Sequence, residues 1–191
     1  MVKGKCIIFS APSGAGKTTI VRYLLSKIES LEFSISACTR APRGNEKNGQ
    51  DYYFLSVGEF KKKIEAEEFI EWEEVYHDHY YGTLKEEIER IWSKKHSALF
   101  DVDVMGGIKL KKYFGEQALS VFVMPPSKDI LEQRLRNRGT DSPDRIQKRL
   151  QKAEKELKMA EQFDHILLND QLEEALQKAE NLTRNFLHAS S

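Results

Sequence analysis

Apolar positions along the chain fall into two patterns. Residues 5–10, 97–104, 118–123 and 164–168 are short, nearly continuous apolar runs. Each has the length of a buried strand and is too short for a helix of its own. Elsewhere the apolar residues recur with helical spacing. Ile20, Val21, Leu24, Leu25 and Ile28 share one face of a helix predicted from about Gly16 to Glu29. Ile146, Leu150, Ala153, Leu157 and Ala160 form one stripe of a second helix, and Leu172, Ala175, Leu176, Ala179, Leu182 and Phe186 line a third, from about Leu172 to Leu187. Buried strands separated by helices predict an α/β fold, a parallel sheet covered on both faces.

Two stretches interrupt that alternation. Residues 33–83 are polar and aromatic, with short strand signals such as Asp51 to Leu55, and read as an inserted lobe. Ser56 and Glu59 have the spacing of a capping box opening a short helix. The second break runs from Arg134 to Arg149. Gly139 is placed to end one helix, and Ser142-Pro143 to start the next as N-cap and first-turn proline. The loop between them is expected to be a lid. The expected division is one domain, with a core of about 1–32, 95–126 and 155–191, a lobe of about 33–94 and a lid of about 127–154.

Composition narrows the function classes. No run approaches the roughly 18 consecutive apolar residues of a membrane span, and the start has no signal-peptide pattern. The 30 basic and 30 acidic residues cancel, whereas a general nucleic-acid binder is usually basic overall. The two cysteines, Cys6 and Cys38, make no disulfide framework and lack ligand-like neighbours, so they read as buried thiols. A cytoplasmic protein with neither nucleic-acid nor membrane partners is expected.

Chemistry enters with Ala11-Pro12-Ser13-Gly14-Ala15-Gly16-Lys17-Thr18, followed by Thr19, between the first strand and the first helix. A glycine-rich turn in that context lets backbone N–H groups converge on phosphate oxygens, and the helix N-terminus adds its positive dipole end. Lys17 is placed for the β- and γ-phosphates of a nucleotide and the Thr18 hydroxyl for Mg²⁺. Ala11 stands where this loop usually begins with glycine, which is tolerable provided that its φ is not positive.

With that loop in place, further segments are diagnostic. Residues 36–44 and 48–52 resemble the GMP-binding segment of guanylate kinases, as do Phe69-Ile70-Glu71-Trp72 and Tyr80-Tyr81-Gly82-Thr83. Phe100-Asp101-Val102-Asp103, Pro125-Pro126-Ser127, Arg138-Gly139-Thr140 and Asn169-Asp170 complete the set, in order over nearly the whole chain. The resemblance implies a P-loop NTPase core, a GMP-binding lobe and a helical lid. It implies transfer of the ATP γ-phosphoryl group to GMP with Mg²⁺, giving ADP and GDP; the use of dGMP as an acceptor is left open by the sequence. A monomer and a homodimer both remain open.

The resemblance also assigns residues. Arg40 and Arg43, three apart around a proline, are expected to clamp the GMP phosphate by bidentate contacts, with Tyr52 and Tyr81 donating to the same oxygens. Glu71 is expected to read the N1–H and N2–H donors of guanine, with Ser36, Gly82 and Thr83 nearby. From local sequence alone Glu71 is one more charge among Glu67, Glu68, Glu73 and Glu74. Asp101 and Asp103, two apart on a buried strand, are expected on one face of it. Asp101 is assigned to GMP and its arginine clamp, Asp103 to the water shell of the metal. Arg134 and Arg138 share a helix face, and with Arg149 across the lid loop are expected to neutralise transition-state charge. Asn169 and Asp170 are assigned to the adenine side, with a helix cap as the alternative for Asp170. Cys38, where the family more often has threonine, and Met105, where glutamine is frequent, are departures that carry no charge. His77 and His79 read as loop residues. A non-catalytic binding module and a kinase for another monophosphate are the competing functions.

Overall fold

A computed structural model of the chain describes residues 4–137 and 143–189, apart from the side chain of Tyr76. The first apolar run forms β1 (Cys6–Ser10), buried along its whole length. The glycine-bearing turn leads into α1 (Lys17–Lys27), and β2 (Leu31–Phe33) follows. The chain then leaves the core for β3 (Ala37–Cys38), β4 (Tyr53–Phe54), α2 (Val57–Glu65), β5 (Phe69–Tyr76) and β6 (His79–Leu84). It returns through α3 (Lys85–Ser93), β7 (Ser97–Val102), α4 (Val104–Phe114) and β8 (Ala118–Met124). The helices α5 (Lys128–Asn137) and α6 (Pro143–Leu157), then β9 (His165–Leu168) and α7 (Leu172–His188), complete it.

The core sheet has the order β2-β7-β1-β8-β9 with every pairing parallel. Because strand side chains alternate, β1 feeds two cores. Ile7 and Phe9 pack with Ile20 and Leu24 of α1 and Ala179 of α7. Cys6 and Ile8 face the other way, against Ile88 and Ile91 of α3 and Leu110 and Phe114 of α4. The sheet is thus covered on both faces, as the apolar runs predict. Burial also raises the Cys6 thiol well above its ordinary pKa, leaving it inert.

The inserted lobe is a second sheet, β4-β3-β6-β5, with its own core of Phe60, Phe69, Tyr80 and Leu84. The capping box forms as expected: Ser56 N–H donates to Glu59 Oε2 at 2.7 Å, and Glu59 N–H donates to Ser56 Oγ at 3.2 Å. The expected lobe boundary near residue 94 takes in α3, yet the buried face of α3 belongs to the core sheet. The strand expected over 97–104 stops at Val102, and Asp103 is the N-cap of α4, its Oδ1 accepting from Gly106 N–H at 2.8 Å. The carboxylate of an aspartate there accepts from the unsatisfied N–H groups at the start of a helix, which favours ending the strand and opening α4. Pro143 is the first residue of α6 as predicted; Gly139 and Ser142 lie outside the described residues.

One buried carboxylate ties lobe to core. Glu87 of α3 is 1% exposed. It accepts from Ile35 N–H and from the Tyr53 hydroxyl of the lobe, both at 2.8 Å, and from Arg90 Nε and Nη2, both at 2.9 Å. Removing it strands three donors, one of them charged, which typically costs about 3–5 kcal/mol. Glu87→Ala is therefore expected to lower the thermal unfolding midpoint by on the order of 10 °C, since 1 kcal/mol corresponds to about 2–4 °C at this chain length. A midpoint within 2 °C of the parent, measured by circular dichroism, rules that role out.

Candidate functional site

The phosphate loop is built as its residue types require. Its left-handed angles fall on Gly14 (φ 97) and Gly16 (φ 94), and not on Ala11, so alanine at the first position costs nothing conformationally. Asn169 braces the loop from β9's end. It is buried, and its Nδ2 donates to Ala15 O at 2.7 Å. A Cβ on Gly16 would lie 2.3 Å from that same nitrogen. Asn169 here supports the loop itself. Asp170 is not the cap of α7; the capping position is Gln171, with no side-chain bond. Arg134 reaches across from α5, its Nη1 donating to Ala15 O and its Nη2 to Asn169 O, both at 3.4 Å.

Lys17 Nζ pairs with Asp101 Oδ1 and also donates to Val102 O at 2.9 Å. Thr18 Oγ1 donates to Asp101 Oδ2 at 3.0 Å. Asp101 therefore stands at the phosphate loop. The two aspartates do not share a strand face, because only Asp101 is on the strand. A cavity of about 320 Å³ opens over residues 11–19 and is closed on its far side by Asp103 and by Arg149, Lys152 and Glu156 of α6. Lys152 Nζ lies 3.7 Å from Asp103 Oδ2 and 3.5 Å from Glu156 Oε1. Burial raises the pKa of Glu156, with Asp103 adding to the effect and Lys152 opposing it. Arg138 lies outside the described residues.

The lobe carries the second half. Glu71 of β5 pairs in register with Thr83 of β6, and the Thr83 hydroxyl donates to Glu71 Oε1 at 2.9 Å. Gly82 permits this: a Cβ there would lie 2.7 Å from the Glu71 carbonyl oxygen and 2.9 Å from Trp72 Cβ. Burial pushes the Glu71 carboxyl up to about 7, against the Thr83 hydrogen bond and Lys109 and reinforced by Asp103 and Glu73. A Cβ on Gly106 would have Asp103 Oδ1 at 3.2 Å and Glu71 Oε2 at 3.8 Å. The carboxylate of the lobe and the rim of the phosphate cavity thus adjoin at the start of α4.

Arg40 is the anchor of a basic and aromatic group. Its guanidinium lies 4.7 Å from the centre of the Tyr52 ring, and Tyr52 meets Tyr81 edge-on at 6.2 Å. Nη1 and Nη2 form a fork onto Glu46 at 2.6 and 2.8 Å, and Arg43 N–H donates to Glu46 Oε2 at 2.8 Å. These contacts hold the Glu46 carboxyl down at about 2 and raise Arg40 further above its ordinary value. The Arg43 side chain is exposed. Ser36 sits at the entry to β3, its carbonyl accepting from Tyr53 N–H at 2.9 Å. His77 is 95% exposed at the β5–β6 tip.

A family model described as guanylate kinase matches residues 3–185. The chain belongs to the guanylate kinase family. A guanylate kinase of Bacteroides thetaiotaomicron is 53% identical over 185 residues, covering 97% of this chain and 91% of that one. One from Porphyromonas gingivalis is 51% identical over 184 residues, covering 96% and 98%. The crystal structure of guanylate kinase from Anaplasma phagocytophilum matches with a TM-score of 0.76 at 30% identity, covering all of this chain and 89% of that one.

Within this member of the guanylate kinase family, sequence reasoning missed three residues of the site. Glu46 had a signal, an acidic residue six positions after Arg40 in a loop otherwise rich in Gly and Asn. Lys152 and Glu156 had a clearer one, standing three and seven residues after Arg149 on one helix face.

Proposed function

We propose that this chain transfers the γ-phosphoryl group of ATP to GMP, as a cytoplasmic enzyme acting on small-molecule substrates. The adjacency of Glu71 and Asp103 over Gly106 carries the reading, because Asp103 also lines the cavity of the phosphate loop. A base held at Glu71 and a triphosphate held at Lys17 would then meet within one site. No helix among the described residues is long and apolar enough to cross a membrane.

Arg40, Arg43, Tyr52 and Tyr81 would hold the acceptor phosphate. Glu46 takes the Nη1–Nη2 end of the Arg40 fork, and the Nε–Nη2 edge is the second bidentate face an arginine offers. A phosphate oxygen of GMP attacks the γ-phosphorus, the new O–P bond forms as the bond to the β–γ bridging oxygen breaks, and ADP leaves. That oxygen is already a competent nucleophile, so no side chain need act as base. Lys17, Arg134 and Arg149 would neutralise the equatorial charge. The hydroxyl of Thr18 and the carboxylates of Asp101, Asp103 and Glu156 are hard oxygen donors of the kind Mg²⁺ takes, which fits the cation that accompanies ATP. Thr18 would hold it directly and Asp101 through water, its carboxylate being already bonded to that hydroxyl. The cation would supply positive charge that screens the phosphates of the donor.

The test is ADP release from ATP with GMP, AMP, CMP and UMP in parallel. Turnover with GMP at least 100-fold above the others is expected. Preference for another monophosphate keeps the kinase and removes Glu71 as base reader; silence with all four, in folded protein, favours a binding module.

A further inference from the structure

The face of α6 turned to the phosphate cavity carries a cation that the reaction, as set out above, does not use. Lys152 stands three residues after Arg149 and four before Glu156, and all three line the cavity with the loop. The Lys152 side chain is 57% exposed and Glu156 only 9%, so the carboxylate is sunk in the wall and the ammonium stands in the opening. A solvated i,i+4 pair accounts neither for a carboxylate only 9% exposed nor for the contact with Asp103 at the start of α4.

The ammonium is held, but loosely. Its distances of 3.7 Å to Asp103 and 3.5 Å to Glu156 exceed the 2.7–2.9 Å or so of a close charge-assisted hydrogen bond. Burial works against its charge, but Glu156 and Asp103 outweigh that and keep it protonated. Lys17, by contrast, is in direct contact with Asp101. Lys17, Arg149 and Lys152 line the cavity together with Asp103 and Glu156, and of these cations Lys17 is already paired with Asp101. An entering phosphate redirects the Lys152 ammonium from contacts of 3.5 and 3.7 Å at less cost than the Lys17 ammonium from its direct contact with Asp101.

We infer that Lys152 is a ligand of the terminal phosphate of the donor nucleotide, held between Asp103 and Glu156 until the phosphate arrives. An ammonium has three protons, so it can keep one carboxylate while it binds a phosphoryl oxygen. The inference rests on the ATP-dependent reading above.

The experiment compares the parent with Lys152→Gln, Lys152→Arg and, as a control, Lys155→Gln, an exposed lysine of the same helix. Binding of the β,γ-imido analogue of ATP and of ADP is measured without GMP, followed by turnover. For Lys152→Gln, about tenfold weaker binding of the triphosphate analogue is expected, with ADP within twofold and turnover down by about 10²-fold. Lys152→Arg should recover most of both, and Lys155→Gln should match the parent. Parent-like triphosphate binding and turnover in Lys152→Gln overturns the inference, as does an equal loss toward ADP. Should the parent prefer another monophosphate, the acceptor reading fails while the triphosphate–diphosphate split still decides Lys152.

Discussion

Lys17→Ala is expected to lower phosphoryl transfer by about 10³-fold while the protein remains folded. Lys17 begins α1, half-buried beneath the cavity, with its ammonium on Asp101 and the Val102 carbonyl. Those partners hold it at the mouth of the loop, where the proposed reaction would break the β–γ bridge of ATP. Losing one preorganised donor to developing charge costs about 10²–10³ in turnover. Here the loss is expected at the upper end, because Asp101 would then present an uncompensated carboxylate toward the nucleotide. Stability should change little, since the pair is partly exposed and such pairs contribute about 0–1 kcal/mol. The check is single-turnover chemistry with saturating ATP and GMP, alongside thermal unfolding. Turnover within tenfold of the parent contradicts the assignment of the loop.

Glu71→Gln is expected to separate function from stability. In the proposed reading the carboxylate would accept from two guanine donors, and an amide presents only one acceptor, so kcat/KM for GMP should fall by at least 10²-fold while ATP affinity stays. The pH dependence follows from its position. With the carboxyl pushed up to about 7 by burial, it is increasingly protonated below that pH, and an O–H then faces guanine's own donors. GMP binding in the parent should therefore weaken as pH falls from 8 to 6, and by less in the variant, where only the GMP phosphate, with a second pKa of about 6, still titrates. The stability sign is the opposite. The folded state binds this proton more tightly than the unfolded chain, whose ordinary value is 4.5. Stability is thus lost as pH rises from about 4.5 through 7. Glu71→Gln, which carries no charge to desolvate, should unfold a few degrees above the parent at pH 8 and near it at pH 5. A flat pH profile for GMP in the parent, or a variant less stable at pH 8, removes this account of Glu71.

How much was legible follows from where the information lies. The strand-helix alternation, the capping box and the loop are local. Strand runs must be apolar when both faces are covered, and the loop needs glycine where its backbone is left-handed; both requirements appear as residue types at fixed spacings. The Gly14 and Gly16 angles show that requirement met and clear Ala11. Glu71 is the contrary case. Among five glutamates within eight residues, nothing local separates the one that turns inward, and only the register of β5 on β6 pairs it with Thr83.

The amino-acid sequence by itself determined the α/β core, the phosphate loop, the inserted lobe and, through its motifs, the family. Only the tertiary structure decided that Asp101 pairs with Lys17, that Asp103 caps α4 beside Glu71, that Glu46 grips Arg40, and that Lys152 stands over the loop. Each of these except the Arg40 contact joins residues far apart in sequence or on different elements. Charged groups pair with whatever the packed backbone brings within a few ångströms, and no periodicity records which carboxylate that will be.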